Sequence, residues 1–211
     1  MNFALKKITS YCEQYTTSQS KLLYQLERET NLKTLAPQMM SGPLQGQLLS
    51  MISALVQPTI ALEIGTFTGY AALCMAKGLA PTGKLYTIEV KEELEYLIRK
   101  YIEKAEQQES IELYIGDAAD IIPTLPTPFD LVFIDAGKRF YAAHFDLVID
   151  KVRSGGIILV DNVLWSGKVT LKKHDKDTAI IHAFNEKVVQ DERVENVLLP
   201  IRDGINIIRK K

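Results

Sequence analysis

The sequence predicts an α/β protein with a Rossmann-like, doubly wound, mostly parallel sheet, a C-terminal antiparallel hairpin and a helical N-terminal cap. Three observations support this fold class. Short runs that are apolar on both faces alternate with segments of helical periodicity, which is typical of buried parallel strands and their crossover helices. Apolar residues recur at helical spacing before the first of these runs. Two apolar segments near the end of the chain flank a turn.

The elements follow in chain order. In residues 1–57, leucine and isoleucine recur at helical spacing, with an interruption from Pro37 to Pro43. We predict strands at 61–65, 85–90, 111–117, 131–136 and 156–162, and helices at 70–79, 92–107, 117–125 and 141–152. Arg202, Asp203 and Gly204 form the turn signal of the terminal hairpin. We therefore predict one domain over residues 1–211, with a cap over 1–57 and a sheet core over 58–211.

The composition excludes several classes of function. The chain has 25 Lys and Arg against 26 Asp and Glu, so no basic face indicates a nucleic acid partner. No apolar run approaches the ~20 residues that a membrane-spanning helix needs, so we expect no membrane partner. Cys12 and Cys74 are isolated, and the first ten residues lack the pattern of a secretory signal. We expect a cytoplasmic protein with reduced thiols.

The turn after the first predicted strand is the first candidate binding segment. It runs from Glu63 to Gly69 with the spacing E-x-G-x-x-x-G, which is neither the dinucleotide fingerprint nor a phosphate-binding P-loop. The carboxyl edge of a parallel sheet is where such folds bind ligands. Gly65 and Gly69 allow a ligand to approach the backbone, and Glu63 suits an ammonium or hydroxyl donor. The alternative is a structural turn with a solvated Glu63.

Two further acids follow the second and third predicted strands. Glu89 lies 20 residues beyond Gly69 (89 − 69), where an acid binds ribose hydroxyls in related folds. Asp117, next to Ala118, suits an adenine amine. Together with the turn, these acids indicate a nucleoside ligand. In the alternative interpretation, Glu89 leads a helix and Asp117 is a helix N-cap.

Three oxygen-bearing side chains follow the fourth and fifth predicted strands. Asp135 ends one strand, and Asp161 with Asn162 ends the next. Two carboxylates and an amide oxygen form a hard ligand set, which prefers Mg²⁺, with Mn²⁺ or Ca²⁺ as alternatives. The three histidines fall outside this group, which disfavours zinc. The alternative is that the two acids cap turns.

Taken in order, these residues resemble the cation-dependent O-methyltransferases that use S-adenosylmethionine, the family of catechol and caffeoyl-coenzyme A O-methyltransferases. The small bacterial members are the most similar. The resemblance spans seven ordered blocks: residues 40–46, 62–73, 87–90, 116–118, 133–141, 158–169 and 200–207. It implies that S-adenosylmethionine is bound by Met40, Glu63, Gly65, Thr66, Phe67, Thr68, Gly69, Tyr70, Glu89, Asp117, Ala118 and Asp135.

The resemblance also implies a reaction. Asp135, Asp161 and Asn162 would bind the divalent cation, and Lys138 would be the general base for a catechol-type phenolic acceptor in a homodimeric enzyme. Many relatives read Asp-Ala-Asp-Lys where this chain has Gly137 before Lys138. Lys138 has an alternative as an ordinary protonated lysine. Two alternative functions stay open: an S-adenosylmethionine-binding protein without catalysis, and a methyltransferase for a non-catechol acceptor.

Overall fold

The computed structural model describes residues 3–211. Its α-helices are α1 (Phe3–Gln14), α2 (Lys21–Lys33), α3 (Gly42–Val56), α4 (Tyr70–Ala76), α5 (Glu95–Lys104), α6 (Ala118–Ile121), α7 (Tyr141–Ile149) and α8 (Lys176–Gln190). Its strands are β1 (Ile60–Ile64), β2 (Lys84–Glu89), β3 (Ile111–Ile115), β4 (Phe129–Ile134), β5 (Val152–Asp161), β6 (Val194–Leu199) and β7 (Ile205–Lys210). Among these helices, none is both long and apolar enough to span a bilayer.

The strands form one mixed sheet in the order β3-β2-β1-β4-β5-β7-β6. Strands β1 to β5 are parallel, whereas β7 is antiparallel to both β5 and β6. Strand β1 pairs with β2 on one side and with β4 on the other, so the strand order reverses there. In open α/β sheets, ligands bind in the crevice at this reversal. The predicted fold class is confirmed, including the terminal hairpin.

Strand β4 shows why the central strands read as continuous apolar runs. Leu131 and Phe133 pack into the hydrophobic cluster that includes α3, α4 and α5. The intervening Val132 and Ile134 pack into the cluster on the opposite face, with α7 and α8. Because side chains alternate between faces, a strand that is covered on both sides needs apolar residues at every position. This packing makes the end of β4 a rigid support for the polar residues that follow it.

The N-terminal helices lie close to the turn that follows β1. A Cβ atom on Gly46 of α3 would lie 2.6 Å from Cε1 of Tyr70 and 2.8 Å from Sγ of Cys74, so α3 and α4 touch with no room for a side chain. From α2, the Thr30 hydroxyl donates a hydrogen bond to the Thr68 hydroxyl at 3.0 Å. These contacts fix the cap against the candidate binding turn.

Helix α8 was not predicted from the sequence. Its N-cap is Asp175, whose carboxylate accepts a hydrogen bond from the Thr178 backbone N–H at 2.8 Å. Ile181, Phe184 and Val188 are buried along one face of the helix. The helix lies in the second hydrophobic cluster and contributes a charged residue to the candidate site.

Several predicted boundaries were wrong. The helix predicted at 141–152 ends at Ile149, and β5 begins at Val152, four residues before the predicted start at 156 (156 − 152). The ladder between β4 and β5 has an irregular register near Phe129, which accommodates the early start of β5. The helix predicted at 92–107 begins with a 3₁₀ turn, and its α-helical part ends at Lys104.

Candidate functional site

The ends of β1 and β4 bring the candidate binding turn against the first predicted metal ligand. Ile64 is paired with Ile134, and the Asp135 N–H donates to the Ile64 carbonyl at 2.9 Å. Gly65 has φ +99°, and a Cβ atom there would lie 2.1 Å from the Asp135 carbonyl oxygen. Glycine is therefore required at this position. The turn and Asp135 border the same crevice.

A small pocket lies in this crevice. The predicted cofactor residues that line it are Met40, Gly65, Thr66, Phe67, Thr68, Tyr70 and Asp135. Met39, Ser41 and Ala71 complete the lining.

Glu63 lies beneath the turn and is fully buried, so it is not the solvated acid of the alternative interpretation. The Thr87 hydroxyl donates to Glu63 Oε2, whereas the buried Oε1 has no hydrogen-bond partner among the described residues. Burial, with smaller contributions from Asp135 and Glu89, raises the pKa of Glu63 to about 8. Glu63 is therefore mostly protonated at neutral pH. An unpartnered buried oxygen is the kind of group that a bound polar ligand satisfies.

Glu89 holds the backbone of the candidate binding turn. Its Oε2 accepts a hydrogen bond from the Phe67 N–H at 2.7 Å, and its Oε1 accepts one from the Lys91 N–H at 2.9 Å. Phe67 adopts a left-handed conformation with φ 51°, which is costly for a non-glycine residue. The carboxylate stabilises this conformation. Each of its oxygens has a second acceptor site, which leaves capacity for ribose hydroxyls.

Asp117 and Ala118 lie at the end of β3. The Asp117 carboxylate accepts a hydrogen bond from the Ala119 N–H at 2.8 Å and caps α6. The N-cap of the alternative interpretation is therefore present. Asp117 is exposed and Ala118 is buried. Contact of either residue with an adenine stays a prediction.

The second predicted metal ligand, Asp161, is buried at the end of β5. Its Oδ2 accepts a hydrogen bond from Gln45 Nε2 at 2.8 Å, and its Oδ1 accepts one from the Asn162 N–H at 2.8 Å. Burial raises the pKa of Asp161, and hydrogen bonding to Gln45 and the charge of Arg202 oppose this shift. Asn162 has φ 59°, a left-handed conformation that asparagine tolerates better than most residues.

The donor set at this edge fits a divalent cation. Burial raises the pKa of Asp135 well above its usual value, and the nearby Asp161 raises it further. A cation offsets the cost of placing the partly buried Asp135 carboxylate near the buried Asp161 carboxylate, and oxygen ligands suit Mg²⁺, Mn²⁺ and Ca²⁺. Within residues 3–211, no three His, Cys, Asp or Glu side chains are grouped to hold a metal. The predicted set therefore depends on the Asn162 amide as its third oxygen.

Lys138, the predicted general base, contacts two other side chains. Its Nζ lies 2.8 Å from Asp177 Oδ2 on α8 and 3.4 Å from the centroid of the Trp165 ring. An ammonium group paired with a carboxylate has no lone pair with which to accept a proton. Lys138 must therefore separate from Asp177 and lose a proton before it acts as a base. Next to it, a Cβ atom on Gly137 would meet the ring of Phe140 at 3.4 Å.

Sequence reasoning missed three residues of this site. Gln45 and Arg202 lie in two of the blocks that carry the family resemblance, residues 40–46 and 200–207, but neither was assigned a role. Nothing local in the sequence indicates that Gln45 contacts Asp161, which is 116 residues away. Asp177 was missed because α8 was missed. An Asp at residue 175 before apolar residues at helical spacing was the available signal for that helix.

Comparisons with known proteins give consistent matches. A family model described as "O-methyltransferase" matches residues 13–211. The chain is 35% identical to "Tricin synthase 2" of Oryza sativa subsp. japonica, over 82% of this chain and 63% of that protein. It is also 35% identical to "Catechol O-methyltransferase" of Mycobacterium tuberculosis, over 63% of this chain and 61% of that protein. The chain thus spans less than two thirds of the length of both relatives.

Solved structures match over almost the whole chain. One of them is the O-methyltransferase from Bacillus cereus in complex with SAH (S-adenosylhomocysteine), with a TM-score of 0.89 and 27% identity. The match covers 97% of this chain and 97% of that one.

Proposed function

Since this chain belongs to the O-methyltransferase family, we propose that it transfers a methyl group from S-adenosylmethionine to a hydroxyl of a catechol-type small molecule, with Mg²⁺ as the preferred divalent cation. One observation carries this proposal. The close contact between Gly65 and the Asp135 carbonyl brings the candidate cofactor turn and the candidate metal ligand to one crevice. A methyl donor and a cation-bound acceptor require this proximity.

The residues of the crevice suit the parts of the cofactor. The turn from Gly65 to Tyr70 would hold the methionine part, above the unpartnered Oε1 of Glu63. Glu89 would accept hydrogen bonds from the ribose hydroxyls while it holds the Phe67 N–H. Asp117 would lie at the adenine.

Asp135, Asp161 and Asn162 would hold the cation. When bound, S-adenosylmethionine supplies the methyl group, and the divalent cation supplies Lewis acidity toward the acceptor hydroxyls. A phenol with a pKa near 10 is mostly neutral at pH 7, so the acceptor proton must be removed. In our proposal the acceptor displaces Asp177 from Lys138, the ammonium releases one proton to solvent, and the neutral Nζ amine then takes the proton of the acceptor hydroxyl. Trp165 forms one wall of the acceptor site.

Rigid strand ends supply the alignment that methyl transfer needs. Asp135 follows a strand covered on both faces, and Asp161 is held by two hydrogen bonds. Fixing two reactants in a reactive geometry is worth roughly 7–11 kcal/mol in favourable cases.

Transfer of a labelled methyl group from S-adenosylmethionine to catechol tests the proposal. We expect turnover that EDTA abolishes and that Mg²⁺ or Mn²⁺ restores. Phenol, which lacks the second hydroxyl, is the matched control and should be methylated much more slowly. Full turnover of catechol in metal-free protein would contradict the metal dependence, and a preference for non-catechol acceptors in a wider panel would contradict the substrate class.

The Lys138–Asp177 ion pair favours a second candidate, an S-adenosylmethionine-binding protein without catalysis, because the pair occupies the base. Calorimetric binding of S-adenosylhomocysteine without methyl transfer to any acceptor would support it. The homodimer implied by the family resemblance and the cytoplasmic location expected from the isolated cysteines and the first residues also stay proposals. Sedimentation of the purified chain and fractionation of source cells test them.

A further inference from the structure

Arg202 reaches from the C-terminal hairpin turn into the N-terminal cap. Its Nη1 donates hydrogen bonds to the Ser41 carbonyl and, at 2.9 Å, to Gln45 Oε1. Its Nη2 donates to the Met40 carbonyl at 3.1 Å. One half-buried guanidinium therefore holds three acceptors at the start of α3. Met40 and Ser41 both line the candidate cofactor cavity.

Gln45 connects this guanidinium to the candidate metal site. A guanidinium only donates hydrogen bonds and an ionised carboxylate only accepts them, whereas an amide does both. Since Arg202 occupies Oε1 of Gln45, the Nε2 group is directed to Asp161 Oδ2 at 2.8 Å. Gln45 is fully buried, so water does not compete for either contact. The orientation of the Gln45 amide, and with it one contact of Asp161, depends on Arg202.

We propose that Arg202 is a positioning residue for methyl transfer, which holds the cofactor-side segment Met40–Ser41 directly and the candidate metal ligand Asp161 through Gln45. This inference rests on the proposed function, since it concerns the same site. In this proposal, the hairpin turn helps to hold the cofactor and the cation in fixed positions relative to each other.

A double-mutant cycle tests the inference through binding rather than activity. The variants are R202M, Q45M and R202M/Q45M, and R209M is the matched control because Arg209 is exposed and pairs with Glu195. The affinity for Mn²⁺ is measured from the electron paramagnetic resonance signal of the free ion, and that for S-adenosylhomocysteine by calorimetry. Circular dichroism melts show that each variant is folded.

R202M should weaken both affinities, that for Mn²⁺ by about tenfold, as is typical when a partner of a metal ligand is removed. Q45M should weaken Mn²⁺ binding by a similar factor and leave S-adenosylhomocysteine binding unchanged, because the contacts with residues 40 and 41 remain. The double variant should bind Mn²⁺ no more weakly than R202M alone. R202K should be intermediate, and R209M should match the wild type.

Unchanged affinities in R202M would overturn the inference, and so would losses of Mn²⁺ affinity that simply add in the double variant. If R202M does not fold, R202K takes its place. The variants R202K, Q45M and R202K/Q45M are then judged by the same criteria. A wild-type protein that binds no Mn²⁺ overturns both this inference and the proposed metal dependence. Normal wild-type binding that none of the variants alters overturns only the role of Arg202.

Discussion

The substitution Glu63→Gln tests whether Glu63, the acid beneath the candidate cofactor turn, is protonated in the folded protein. The folded protein holds the proton of Glu63 up to a pKa of about 8, against an ordinary value of 4.5. Between these values the folded state binds more protons than the unfolded state, so the free energy of unfolding falls as pH rises. Each pKa unit is worth about 1.4 kcal/mol, so the loss is about 3 kcal/mol at pH 7 and about 5 kcal/mol above pH 8.

Glutamine keeps the shape of Glu63 and an acceptor for the Thr87 hydroxyl, but it does not titrate. The free energy of unfolding of E63Q should therefore match that of the wild type near pH 4.5. At pH 7 it should be higher by about 3 kcal/mol, because residue 63 no longer lowers the free energy of unfolding as pH rises. Urea unfolding of ligand-free protein from pH 4.5 to 9, followed by circular dichroism, measures the difference. A difference that stays constant over this range would refute the reasoning, since it would mean that Glu63 has an ordinary pKa.

Three further predictions concern the crevice. D161A should abolish turnover and Mn²⁺ binding while affinity for S-adenosylhomocysteine, measured by calorimetry, stays near the wild-type value, because the cofactor turn is untouched. G65A should lower stability by more than about 2 kcal/mol, since its Cβ has no space; G167A is the control, because Gly167 also has a positive φ but nothing within 4 Å. K138M should lower kcat by about 10²–10⁴-fold, the usual range for a general base, with little change in cofactor affinity.

Each of these predictions has a contradicting outcome. D161A with wild-type Mn²⁺ affinity would remove Asp161 from the metal site. Equal losses of stability in G65A and G167A would mean that backbone conformation, and not the contact with Asp135, sets the cost. K138M with unchanged kcat over the pH range would exclude Lys138 as the base.

The main parts of the fold could be predicted from the sequence because buried parallel strands leave a strong pattern. Strand β4 carries apolar residues at every position from Leu131 to Ile134, and the structure buries all of them. Helix α8 was missed although its buried residues Ile181, Phe184 and Val188 recur at helical spacing. The start of β5 was misplaced because its first residues, around Gly155, lack the apolar run of its centre.

For the candidate site, the parallel topology explains what could be foreseen. Residues that follow parallel strands meet at one edge, so the proximity of Gly65 to Asp135 follows from the strand pattern. The O-methyltransferase class predicted from the ordered blocks is confirmed by the family match. The contacts of Gln45 with Arg202 and Asp161 could not be predicted, because tertiary packing alone joins a helix of the cap to the hairpin turn. The Lys138–Asp177 ion pair depended on the missed helix.

The most direct test of the account is anomalous X-ray diffraction from crystals grown with Mn²⁺ and S-adenosylhomocysteine. We expect one manganese peak within bonding distance of oxygens from Asp135, Asp161 and Asn162, next to the sulfur of the bound S-adenosylhomocysteine. A manganese peak elsewhere, or side chains of these three residues turned away from a shared ion, would contradict it.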